Sequence, residues 1–146
     1  MRELPRQLTA GELAELFEGR TALVEQLAKI DRPLERADAV AHSLTEPQKL
    51  EALSAHPAIG QREGLSARSA AEQGAGDDPA VLAELAGLNR AYEQRFGFRF
   101  VVFVNGRSKA EIVPILEERL TRTRDEELET ALSELVAIAV DRWRRG

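Results

Sequence analysis

FRFVVFVNG, residues 98–106, is the one strand-like run in this sequence, and the fold class turns on it. Aromatic and β-branched residues crowd into it, as they do in strands. A lone strand has no ladder partner and cannot make a stable sheet. The run is therefore expected to be a buried extended segment near 98–105 inside an otherwise helical protein. The preceding stretch, DDPAVLAELAGLNRAYEQRFG (77–97), has Asp78 as cap and Pro79 in the first turn. Leu82, Leu85, Leu88 and Tyr92 line one face, and Gly97 marks the end. The following stretch, SKAEIVPILEERL (108–120), opens with the capping-box pattern Ser108-x-x-Glu111. A long final helix is expected over 123–145, with Leu128, Leu132, Leu135, Ile138 and Val140 or Trp143 as its apolar stripe.

Helical spacing continues toward the N-terminus. Thr9 and Glu12 form a capping box before ELAELF, and Leu23, Leu27 and Ile30 share a face of ALVEQLAKI. Pro33 opens a third helix, and Thr45 caps a fourth that stops at His56-Pro57. The residue before a proline is pushed out of the α region, which puts His56 at or just past a helix end. SARSAAEQG (66–74) reads as one more short helix. The expectation is an all-α fold of about eight helices in a single compact domain spanning 1–146.

With 146 residues and 43% hydrophobic content, the chain is long enough for one core. Its net charge of −5 argues against a nucleic-acid surface, which needs clustered positive charge. The cations of RWRR at the end of the chain suit the dipole of the last helix. There is no cysteine, so disulfides, thiolate metal sites and a cysteine nucleophile are excluded. No apolar run approaches the roughly 20 residues of a membrane helix, and the N-terminus does not read as a signal peptide. A cytoplasmic protein is expected. Two histidines are too few for a metal site, and GQREG lacks the ending of a phosphate-binding loop.

SAHPAIGQREGLSARSAAEQGAG (54–76) holds the remaining candidates, His56 and Glu72. Imidazole titrates near neutral pH and suits acid–base work. A histidine at a helix end can equally bond a terminal carbonyl. Ser69-x-x-Glu72 is also a capping-box pattern with a purely structural use. His42, inside a helix pattern, reads as structural, and Arg119 by default faces solvent.

Taken together, AHPAIG (55–60), SAAEQGAG (69–76), LNRAYEQRFGFRFVVFVNGRS (88–108) and EIVPILEERL (111–120) resemble the 2-oxo-4-hydroxy-4-carboxy-5-ureidoimidazoline (OHCU) decarboxylases of urate breakdown. The likeness runs from about residue 9 to the C-terminus. It implies an all-helical enzyme that converts a small ureidoimidazoline to (S)-allantoin without cofactor or metal. That family is often dimeric, so a homodimer is one implied arrangement. His56 then corresponds to the catalytic histidine and Glu72 to its partner carboxylate. Pro57, Ser69 and Gln73 fall at substrate contacts, and Arg119 matches a pocket arginine. Val101, Val102 and Phe103 would offer backbone groups to the ligand. The chain departs from the family in a short N-terminal section, in Ala58 after His-Pro, and in TRTRDEE before the last helix. A non-catalytic helical binding module and an enzyme for another ureido compound are the competing readings.

Overall fold

The computed structural model describes residues 2–57 and 78–146. Seven helices occur among them: α1 (Ala10–Phe17), α2 (Ala22–Leu27), α3 (Pro33–Ser43), α4 (Glu46–Ser54), α5 (Pro79–Phe96), α6 (Lys109–Arg119) and α7 (Arg124–Arg145). The short helix expected over 66–74 lies outside the described residues. No strand forms among the described residues, so the all-α expectation holds.

Six of these seven helices begin at a side-chain cap; α3 instead opens on Pro33 after Arg32, which makes no cap bond. Thr9, Thr45, Ser108 and Thr123 close complete capping boxes with Glu12, Gln48, Glu111 and Glu126. In each, two otherwise orphaned amides find partners. Helix α2 is shorter than the periodicity suggests; it ends at Leu27, and Ile30 packs against the core from outside it. The long helix α7 is the hub, with α1, α3, α4 and α5 packed against it. Leu128, Ala131, Leu132, Leu135, Ile138 and Ala139 form its inner stripe. The stripe then continues through Arg142, which is only 1% exposed, whereas Val140 and Trp143 are half-buried. Arg142 is thus no mere terminal cation suited to the helix dipole.

Phe98, Phe100, Val101 and Val102 are buried, as expected for the segment between α5 and α6. Side chains take the place of a neighbouring strand. Arg119 Nη1 donates to the Val101 carbonyl at 2.8 Å. The Phe103 amide donates to Glu134 Oε1 at 3.3 Å, and Arg107 Nη2 donates to the Phe103 carbonyl. Asn105 and Gly106, with φ of 50° and 76°, turn the chain into α6. The glycine accommodates that left-handed backbone without steric cost.

Two polar residues depart from their default readings. His42 is not isolated: its Nδ1 meets Glu129, and its Nε2 lies 2.9 Å from Ser133 Oγ and 3.3 Å from Asp38. Lys49 joins Glu129 at 2.8 Å, so this cluster ties α3 and α4 to α7. Arg119 does not face solvent; it is 6% exposed, and its Nε donates to Glu127 Oε1 at 2.7 Å. Glu127 is fully buried and also accepts from the Tyr92 hydroxyl at 2.6 Å and from Arg122 Nη1 at 3.1 Å. Burial, and then the bond to Glu127, push the Tyr92 hydroxyl far above its ordinary pKa, so it stays a donor.

Removing one partner of a buried ion pair leaves the other charge uncompensated. Glu127→Ala is expected to destabilise the chain by about 3–5 kcal/mol, read from urea unfolding. Glu127→Gln, which keeps an acceptor, should lose less. An unchanged midpoint for Glu127→Ala would show that the network carries no stability.

Candidate active site

His56 lies two residues past the end of α4, with its amide bonded to the Leu53 carbonyl at 3.2 Å. Pro57 follows and stops the helix. The imidazole is buried, 7% exposed, and its Nδ1 has no hydrogen-bond partner among the described residues. Its Nδ1 therefore does not play the helix-capping role that a lone histidine could fill. Burial pushes its pKa down to about 4. The charge of Arg142 acts in the same direction, Glu18 opposes it, and Arg99 adds a smaller lowering. At neutral pH the ring is a neutral imidazole with both an acceptor and a donor nitrogen.

Three elements bring these charges together. Arg142 of α7 donates to the Leu16 carbonyl at 3.0 Å and pairs with Glu18 Oε1 at 3.0 Å. Glu18 caps α1 in a left-handed conformation, φ 66°, which is uncommon for a non-glycine residue. Gly19 then brings the end of α1 against α4, where a Cβ would sit 3.2 Å from the Ala55 side chain. Arg99, in the irregular segment, donates from Nη1 to the His56 carbonyl and lies 3.5 Å from the Ser54 carbonyl.

His56, Pro57 and the 98–104 segment are thus drawn together through Arg99. Arg119 holds that segment from the other side, with its Nη2 buried and without a hydrogen-bond partner among the described residues. Among the described residues, Val102 makes no hydrogen bond through its backbone groups, whereas the Val101 carbonyl and both Phe103 groups are occupied by Arg119, Glu134 and Arg107. Ser69, Glu72 and Gln73 lie outside the described residues. No group of three His, Asp or Glu side chains among the described residues is placed to hold a metal ion. No described helix is long and apolar enough to cross a membrane.

Glu18 and Arg99 carry no functional expectation in the sequence, and Arg142 only that of a cation in the last helical turn. For Arg142 a signal was present: Leu135, Ile138 or Ala139, and residue 142 fall at successive i+3/i+4 positions of one apolar stripe. Glu18 and Arg99 carry no such periodic mark.

The depressed pKa of His56 has a consequence for folding. Its folded value of about 4 lies below the ordinary 6.5. Between those values the unfolded chain takes up a proton that the folded chain refuses. Its contribution is full above pH 6.5 and is lost as pH falls toward 4, at about 1.4 kcal/mol per pH unit. From pH 7 to pH 5, His56→Gln should lose about 2 kcal/mol less stability than the wild type, measured by denaturant unfolding. Equal losses would mean that the ring is not held neutral.

A model of the OHCU decarboxylase family matches residues 2–144. A 2-oxo-4-hydroxy-4-carboxy-5-ureidoimidazoline decarboxylase of Halalkalicoccus jeotgali is 36% identical over 99 residues, which are 65% of this chain and 56% of that protein. The chain thus spans little more than half the length of that relative. The protein of the same name from Haloferax volcanii is 28% identical over 80% of this chain and 76% of its own length. Among solved structures, an OHCU decarboxylase crystallised in the presence of (S)-allantoin superposes with a TM-score of 0.76 at 27% identity. That match covers 90% of this chain and 94% of the other. The chain belongs to the OHCU decarboxylase family.

Proposed function

We propose that this chain decarboxylates 2-oxo-4-hydroxy-4-carboxy-5-ureidoimidazoline to (S)-allantoin, with His56 as the acid–base group. The observation that carries the reading is the state of His56: buried, neutral at pH 7, and with its Nδ1 unbonded among the described residues. A structural histidine normally finds a partner for a buried nitrogen. A general base must instead keep one available.

The substrate has its carboxylate and a hydroxyl on one ring carbon, next to an imine carbon that bears the ureido arm. When CO2 leaves, the bonding electrons move into the C=N bond. The substrate is its own electron sink, which is the role a cofactor would otherwise fill. The hydroxyl proton must be lost, and a proton must reach the former imine carbon from one face. A neutral imidazole at His56 suits the first task and, once protonated, can supply the second. The depressed pKa makes the imidazolium a ready donor.

The other assignments follow from the chemistry and the family resemblance. Glu72 accepts hydrogen bonds from the ureido N–H groups or orients the imidazole. Pro57, Ser69 and Gln73 contact the substrate. Within Val101–Phe103, the Val101 amide and the backbone groups of Val102 have no partner among the described residues and are the ones left for a ligand. Arg119, through the buried Nη2, faces a ring or urea oxygen where negative charge develops. Placing it on the departing carboxylate would stabilise a charge that the reaction removes. A cytoplasmic homodimer completes the reading, and sedimentation of the purified chain tests the dimer.

Coupled turnover decides the activity. Urate is oxidised and its product hydrolysed enzymatically, and circular dichroism follows allantoin after this protein is added. One enantiomer should accumulate rapidly, and His56→Ala should lower kcat by roughly 10²–10⁴-fold. Racemic product at the spontaneous rate, with folded protein, would leave the binding-module reading.

A further inference from the structure

We propose that Arg99 is a positioning residue for His56, fixing the carbonyls of Ser54 and His56 at and just past the end of α4 and holding a positive charge beside the imidazole. The inference rests on the reading of His56 as the reacting group. It starts from an anomaly of sequence, a cation placed between the buried aromatics Phe98 and Phe100. Its guanidinium joins three parts of the molecule. Nη1 donates to the His56 carbonyl and lies 3.5 Å from that of Ser54, while Nε stands 3.5 Å from Glu93 Oε1 on α5.

The end of α4 needs such a partner. The last carbonyls of a helix have no intrahelical donor, and a cation there also meets the negative end of the dipole. No glycine follows α4 to close it: Ala55 keeps a right-handed helical backbone, and Pro57 has no N–H to offer. The Ala55 and His56 amides serve the Glu51 and Leu53 carbonyls, and Arg99 supplies by a side chain the donor for those of Ser54 and His56. The bond is to the backbone of His56 itself, so a shift of Arg99 moves the imidazole.

Among the described residues, the charged groups facing His56 from the packed elements are Arg142 on α7, Glu18 at the end of α1, and Arg99. Arg142 and Glu18 are bound to each other. Arg99 is braced only by half-exposed Glu93 among the ion pairs of the described residues. It is consequently the charge that a substitution removes with least disturbance to the core.

The test uses the full chain with Arg99→Gln, Arg99→Lys and Glu93→Gln. The His56 ring is titrated by NMR; with only two histidines in the sequence, a His56→Gln spectrum assigns it. In Arg99→Gln the midpoint should rise from about 4 toward 6.5, by less than the full interval because burial and Arg142 remain. Arg99→Lys should stay near the wild-type value. For turnover, Arg99→Gln should lower kcat roughly 10–100-fold, with KM within a factor of two and the acid limb of the pH profile moved upward. Lysine should restore most of the rate. An unmoved midpoint in folded Arg99→Gln, or a loss confined to KM, overturns the proposal. If Arg99→Gln does not fold, Glu93→Gln decides: lower kcat at unchanged KM supports the positioning role, and unchanged kcat refutes it. The titration needs no substrate. A wild type inactive on the ureidoimidazoline would thus refute the proposed function while the role of Arg99 is still decided.

Discussion

A single carboxylate, that of Glu127, holds the functional half of the molecule in register. It is out of contact with water and takes hydrogen bonds from Tyr92 on α5, Arg119 on α6 and Arg122 between α6 and α7. Burying such a group is expensive unless its lone pairs are filled, and here three donors fill them. The bonds have direction, which hydrophobic contact lacks. They fix the rotation of three helices about their axes and so decide where Arg119 points.

Through Arg119 the same constraint reaches the segment between α5 and α6. Its guanidinium lies over the Phe100 ring, 4.5 Å from the centroid, and grips the Val101 carbonyl. Glu134 and Arg107 hold Phe103. Tyr92 packs edge-on against Phe98 and Phe100, with centroids 5.9 and 5.2 Å away. A strand-like sequence is thereby kept inside a helical protein by side-chain hydrogen bonds on its backbone and aromatic packing on its side chains.

The helices were legible in the sequence because caps and periodicity are local signals. Thr9-x-x-Glu12 and Ser108-x-x-Glu111 do in the structure what their spacing implies. His56 at a helix end followed directly from Pro57. The charged interior was harder to read. Arg119, Glu127 and Arg142 occupy apolar-stripe positions, and each is paired with a group brought near only by tertiary folding, as Arg142 is with Leu16. A periodicity argument sorts residues by polarity, so it assigns such residues to the solvent face. The better rule is to ask what a charge on a stripe position would be paired with. For His42, Asp38 stands one turn back on α3, but Glu129 and Ser133 lie on α7, some ninety residues away, which no local pattern reveals. Glu72 stands out beside His56 within 54–76, but its role there, and Ser69 and Gln73 as contacts, come only from the combination with distant motifs.

Phe100 to Val104 is an uncharged run of valine and phenylalanine, the composition that pairs most readily with copies of itself. In a sheet protein its neighbours would occupy its backbone groups. Here Arg119, Glu134 and Arg107 occupy three of them, and each brings a charge that an incoming strand would have to displace. The residues that fasten the segment therefore also act as gatekeepers against aggregation. The contacts that fasten Val101 and Phe103 are thus the same ones that stand between their backbone groups and another strand.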